Sequence, residues 1–142
     1  MNPCDPSPAD QGRKAGSVLL VDDEPALLDI YAAILKPYFD IVTAANAHEA
    51  DVLLRQQSFK VIVADHLMPG ETGLSFLARS AEEFPHVQRV LVTGNMTEEM
   101  RRTATETNLL FAFLVKPVAI AEFINVVKAA AYLHDACCTV TK

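Results

Sequence analysis

At 142 residues and 51% hydrophobic side chains, the chain has the size of one domain that buries its own core. Its net charge of −6, from 12 basic and 18 acidic residues, argues against autonomous nucleic-acid binding, and Arg101-Arg102 reads as a solvated helix face. No apolar run approaches the ~20 residues of a membrane span, and the start carries acid and proline where a signal peptide needs base, so no membrane contact and a cytoplasmic location are expected.

Residues 1–16 hold Pro, Ser, Gly and charge without periodicity and read as a disordered leader. The first strand is expected from about Ser17 to Val21. Pro25 suits the first turn of the helix that follows, with Asp23 or Glu24 near its N-cap. Leu27, Leu28, Tyr31, Ile34 and Leu35 recur at helical spacing until Pro37. A second strand is expected at Asp40 to Ala44, and Asn46 can cap a helix carrying Ala50, Leu53 and Leu54 on one face. Strand three spans Lys60 to Ala64 and ends at Asp65. After the loop marked by Met68-Pro69-Gly70 and Gly73, a helix through Phe76 and Leu77 stops before Pro85.

Strand four is expected at Arg89 to Val92. Thr97 then caps a helix with Glu98 and Glu99 in its first turn, where carboxylates suit the helix dipole. Thr103, Thr105 and Thr107, with few large apolar residues, predict loose packing for this fourth helix. Asn108 is expected in the left-handed conformation at its end. Strand five covers Phe111 to Val115, the last helix about Ile120 to His134, and residues 135–142 a flexible tail. Cys4, Cys137 and Cys138, an odd count with two adjacent, make no disulfide framework and read as reduced thiols. The alternation is (βα)5, which predicts a doubly wound α/β domain over residues 17–134.

In a parallel sheet the residues after each strand gather on one edge, where ligands bind. Asp22-Asp23, Asp65, Thr93 and Lys116 all stand at such positions. Adjacent acids after a strand can simply cap a helix, and Thr93 or Lys116 alone could be a strand end or a surface lysine. Together they form a set that suits Mg²⁺: the acids would repel one another without a cation, and hard oxygen ligands are what this ion accepts. Asp65 is a carboxylate able to accept a phosphoryl group as aspartyl phosphate, with charge neutralisation from the metal and Lys116 and a hydrogen bond from Thr93. Pro117 after Lys116 fixes the backbone there, with a cis bond as one option.

The runs Val18-Leu19-Leu20-Val21-Asp22-Asp23-Glu24-Pro25, Val63-Ala64-Asp65-His66-Leu67-Met68-Pro69-Gly70 with Gly73, Val92-Thr93-Gly94 and Phe113-Leu114-Val115-Lys116-Pro117 resemble, in order and spacing, the response-regulator receiver domain of bacterial two-component signalling. The resemblance covers about Ser17 to His134. It implies a flavodoxin-like fold with a five-stranded parallel sheet of order 2-1-3-4-5, and Asp65 as the phosphoacceptor. It makes Asp23 a direct Mg²⁺ ligand, Asp22 one through water, and the Leu67 backbone carbonyl a further ligand. Lys116 and Thr93 would bind phosphoryl oxygens, and Phe113 would be an aromatic switch; plain core packing is the other reading of Phe113. The implied donor is a phosphohistidine on a sensor histidine kinase or a histidine phosphotransfer protein. A second copy or a downstream target would meet the face of the fourth helix, fifth strand and fifth helix. Such a protein promotes its own phosphorylation and dephosphorylation and is a signalling receiver, not an enzyme in the usual sense.

The chain departs from the common pattern in places. Phe113 lacks the hydroxyl of the frequent tyrosine, and Asn108-Leu109 replace a glycine-rich approach to strand five. Leu67 and Asn95 flank the site at positions that influence hydrolysis. The motifs resemble receivers joined to transcription-activating or cyclic-dinucleotide-hydrolysing domains, but no output domain follows His134, so the chain reads as a single-domain regulator or an isolated receiver. An aspartate-nucleophile phosphatase would need a D-x-D arrangement, which neither Asp22-Asp23 nor Asp65-His66-Leu67 provides. A flavin-binding module would place a Ser/Thr/Gly loop after strand one, where acids would repel its phosphate. A degenerate receiver that binds partners without phosphorylation is the remaining alternative, against which every chemical residue is present.

Overall fold

A computed structural model of the chain describes residues 16–140, with side chains through residue 136. The expected leader before Gly16, Cys4, and the side chains of Cys137 and Cys138 lie outside the described residues. The elements alternate: β1 (Ser17–Val21), α1 (Pro25–Leu35), β2 (Asp40–Ala44), α2 (Ala47–Gln56), β3 (Val61–Asp65), α3 (Gly73–Glu83), β4 (Gln88–Thr93), α4 (Glu98–Glu106), β5 (Ala112–Val115) and α5 (Ile120–Val140). The strands are all parallel and lie in the order β2-β1-β3-β4-β5. Both the expected alternation and the expected strand order are thus observed. None of the helices among the described residues is long and apolar enough to cross a membrane.

The continuous apolar runs follow from a sheet covered on both faces. In β1, Leu19 and Val21 face the core shared with Ala50, Leu54, Phe76 and Leu77 of α2 and α3. Val18 and Leu20 face the opposite core, with Leu28 and Leu35 of α1 and Phe123 and Val127 of α5. The same alternation divides Ile62 and Ala64 from Val61 and Val63 in β3. Phe39, Phe76 and Phe123 are fully buried, each removal from water being worth roughly 1.5–3 kcal/mol.

Asn46 and Thr97 cap their helices as expected, and Thr72 caps α3 in the same way: the three side chains accept hydrogen bonds from the backbone N–H groups of Glu49, Met100 and Ser75 respectively. At α1 the N-cap is Glu24, but its side chain makes no cap bond; the Asp22 carboxylate instead accepts the Glu24 N–H at 2.9 Å. Asn108 closes α4 at φ 53°, as its side chain tolerates. The fifth helix runs to Val140, past the expected end near His134. No Pro or Gly interrupts Asp135-Ala136-Cys137-Cys138-Thr139-Val140, and the Lys60 ammonium at 2.8 Å from the Asp135 carboxylate ties that turn to the start of β3. Residues 135–140 are therefore helical, where a flexible tail was expected.

Candidate functional site

The parallel strands of β1 and β3 are paired in register from Val18 with Val61 to Val21 with Ala64. Asp22 and Asp65 therefore leave the sheet side by side, with Asp23 one residue further on. One carboxylate oxygen from each of the three acids lies within 4.8 Å of the others. Asp22 and Asp65 are buried and Asp23 is exposed, so the group opens to solvent on one side only.

Asp65 is held from two directions. Its Oδ1 is 2.6 Å from the Lys116 ammonium, and its Oδ2 accepts the backbone N–H of Leu67 at 3.1 Å. Lys116 extends from the end of β5, two strands away from β3, past β4. Its backbone N–H donates to the Thr93 carbonyl at 2.8 Å, and the Lys116–Pro117 bond is cis. Burial pulls the Lys116 pKa down, but the hydrogen bond and charge of Asp65 outweigh it and leave the ammonium above its ordinary value.

Gly73 explains why Asp65 sits where it does. The N-terminus of α3 presses directly on the backbone of Asp65, and any Cβ at Gly73 would collide with the Asp65 carbonyl and crowd His66. The Gly73 N–H donates to the His66 carbonyl at 2.8 Å, and the Leu74 N–H to His66 Nδ1 at 3.4 Å. On the other side of β3, the His66 N–H donates to the Val92 carbonyl, so the turn after Asp65 is tied to both neighbours.

The acids form a donor set in which one buried oxygen lacks a partner. Asp22 is 2% exposed, and its Oδ2 has no hydrogen-bond partner. Burial is the largest cause that pushes its pKa up to about 6; the Glu24 N–H pulls it down, and the carboxylates of Asp65 and Asp23 push it up further. An orphaned, buried carboxylate oxygen among like charges is costly. A hard divalent cation coordinated by oxygen removes both penalties, so the donor set fits Mg²⁺.

Thr93 is buried at the end of β4, but its hydroxyl serves its own loop: it donates to the Asn95 carbonyl at 3.1 Å and accepts the Asn95 N–H at 3.2 Å. Leu67 is 73% exposed beside the acids, its side chain free of the core. Phe113 is partly buried against the core shared by α2 and α3. Arg101 and Arg102 are exposed, as expected of a solvated face, and the guanidinium carbon of Arg101 also lies 5.0 Å from the centre of the Phe113 ring. The sequence offered no sign of this contact, because the two residues lie on different elements at no fixed spacing.

The family model of the response regulator receiver domain matches residues 18–128. Among curated proteins, the chain is 32% identical over 117 residues to the hydrogenase transcriptional regulatory protein HoxA of Cupriavidus necator, a match that covers 82% of this chain and 24% of that protein. It is 31% identical over 105 residues to the alginate biosynthesis transcriptional regulatory protein AlgB of Pseudomonas aeruginosa, covering 73% of this chain and 23% of that one. The chain thus spans about a quarter of the length of these relatives. In fold it is similar to the signal receiver domain of an HD domain-containing protein from Pseudomonas fluorescens, with a TM-score of 0.81, 23% identity, and 87% and 99% of the two chains covered.

Proposed function

The chain belongs to the response regulator receiver domain family, and from that membership we propose that it takes a phosphoryl group onto Asp65 and uses the added charge to reset α4 and the face beside it. The observation that carries this reading is the meeting of Asp65, the Lys116 ammonium at 2.6 Å and the two further acids of the cluster. Asp65 and Asp23 would ligate Mg²⁺ directly with the Leu67 carbonyl, and Asp22 through water. When bound, the ion would neutralise charge on the phosphoryl oxygens.

An oxygen of the Asp65 carboxylate forms the new O–P bond while the P–N bond of a phosphohistidine breaks, and the departing imidazole takes up a proton. Phosphoryl transfer asks the protein chiefly for position and charge. Lys116 exchanges the Asp65 carboxylate for a phosphoryl oxygen, and the Thr93 hydroxyl leaves Asn95 to donate to another. The exposed apolar side chain of Leu67 offers an attacking water no hydrogen bond, which slows hydrolysis of the product. The donor is a sensor histidine kinase or a histidine phosphotransfer protein. Aspartyl phosphate brings about −1.5 to −2 charge, which draws Thr93 and the loop Gly94-Asn95-Met96 inward and makes room for the Phe113 ring. The face of α4, β5 and α5 then binds a second copy or a downstream protein.

Incubation with Mg²⁺ and a small phosphodonor, followed by intact mass measurement, is expected to add one phosphoryl group. Asp65→Asn keeps the shape and removes the nucleophile, so the addition is expected to vanish. Acid-stable, hydroxylamine-resistant label persisting in that variant would sink the assignment.

A further inference from the structure

Beneath the acids, on the α1 side of the sheet, lies a cavity of about 10 Å³, room for a single water. Its wall is aliphatic except for three side chains: Asp22, Asp65 and Tyr31. Two of these are carboxylates, which only accept, so the phenol of Tyr31 is the one side-chain donor that faces them there. Asp22 is 2% exposed and brings an oxygen with no partner.

Helical side chains lean toward the N-terminus of their helix, and the N-terminus of α1 is the end nearest the acids. Tyr31, one turn and a half into α1, therefore reaches up toward the site. Its ring is fixed from behind by Phe123 of α5, with centroids 5.0 Å apart and planes tilted by 45°. The hydroxyl lies within electrostatic reach of the same groups. Burial raises its pKa, the Lys116 ammonium opposes that rise, and the carboxylates of Asp22 and Asp65 add to it. The phenol stays protonated and available as a donor.

We propose that Tyr31 is a positioning residue of the acid site, its hydroxyl reaching the buried carboxylate of Asp22 through one water in the cavity that both line. The bridge orients the Asp22 carboxylate before a cation arrives. This inference rests on the metal-site reading for its consequence but not for its test in the metal-free protein.

Tyr31→Phe keeps the ring packed against Phe123 and removes only the hydroxyl. Calorimetric titration of the full chain with Mg²⁺ is expected to show about tenfold weaker binding in this variant, the worth of a hydrogen bond to a charged group. The second measurement is a double-mutant cycle of Tyr31→Phe and Asp22→Asn, read as thermal melting in chelator. The double variant is expected to shift the melting temperature by clearly less than the sum of the single shifts, because both changes break one interaction. Additive shifts would overturn the role of Tyr31. Failure of the unaltered chain to bind Mg²⁺ would instead reject the metal reading, with the cycle still deciding on Tyr31.

Discussion

Two helices follow the two central strands that feed the site, and both begin the same way, yet they are held very differently. In α3 the Thr72 hydroxyl caps the first turn, and in α4 the Thr97 hydroxyl does so. Past that turn, α3 buries Gly73, Phe76, Leu77 and Ser80, whereas α4 buries Met100 and Ala104. Ion pairs add to the contrast. Arg79 of α3 joins Glu71 at 2.8 Å and Asp51 of α2 at 3.0 Å, and Arg55 of α2 joins Glu83 at 3.0 Å. By contrast, α4 holds its neighbour through Arg101 over the Phe113 ring, and Arg89 fixes only the loop beyond it through the Leu109 carbonyl. Local capping decides where a helix starts; buried volume decides whether it stays put. The helix beside Asp65 is anchored by buried side chains and ion pairs, and the one beside Thr93 is anchored by less.

The largest expected effect is in α3. Phe76→Ala removes a fully buried ring and is expected to cost about 3–5 kcal/mol, against about 2 kcal/mol for Met100→Ala. Urea unfolding followed by circular dichroism measures both. Equal losses would mean that α4 is anchored as firmly as α3.

A change of pH sharpens the comparison. The Asp22 pKa is raised to about 6 by burial, so the metal-free folded chain takes up a proton that the unfolded chain binds only near its ordinary value. Stability is therefore expected to rise as pH falls from 7 through 6 toward 4, by an amount on the order of 1–3 kcal/mol, and to be lost as pH climbs back through 6. Saturating Mg²⁺ should flatten or reverse that slope. If α3 opens only with the whole fold and α4 opens locally, amide exchange in α3 slows along with this gain while exchange in α4 hardly follows. Parallel slowing in both helices would remove the distinction.

Adding a beryllofluoride-type phosphoryl mimic tests α4 directly. Exchange from Thr97 to Asn108 and at the ends of β5 is expected to change several-fold, with Gly73 to Glu83 unaltered. Changes confined to α1 and α2, with the Thr97 to Asn108 segment silent, would rule the switch out.

The smallest effect concerns the contact of Arg101 in α4 with Phe113 in β5. Arg101→Ala is expected to lower stability by only about 0.5–1 kcal/mol. It should nevertheless raise exchange in α4 before any phosphoryl mimic is added, because the guanidinium no longer covers the Phe113 ring. Unchanged exchange in α4 would show that the ring is held by its core neighbours alone.

Much of this contrast could be read from the chain itself. Thr103, Thr105 and Thr107 in place of large apolar residues marked α4 as the weakly anchored helix, and α4 buries little. The strand runs, the caps Asn46 and Thr97, and the left-handed Asn108 were equally legible, since each depends on side chains within one turn of one another. The candidate site was legible for a related reason. A parallel sheet sends every strand end to one edge, so Asp22, Asp23, Asp65, Thr93 and Lys116 had to converge once the strands were recognised.

What required the tertiary structure were the contacts between elements with no fixed sequence spacing. Composition cannot tell that Gly73 is pressed against the Asp65 carbonyl, or that Arg79 reaches both Glu71 and Asp51. Tyr31 looked like one more apolar position on a helix face until the fold set it in the wall of the same small cavity as Asp22 and Asp65. Periodicity and capping act over a few residues and are written in the chain. Which side chains share one buried cavity is decided only when helices from distant parts of the chain close over the sheet, because desolvation and charge act through space rather than along the backbone.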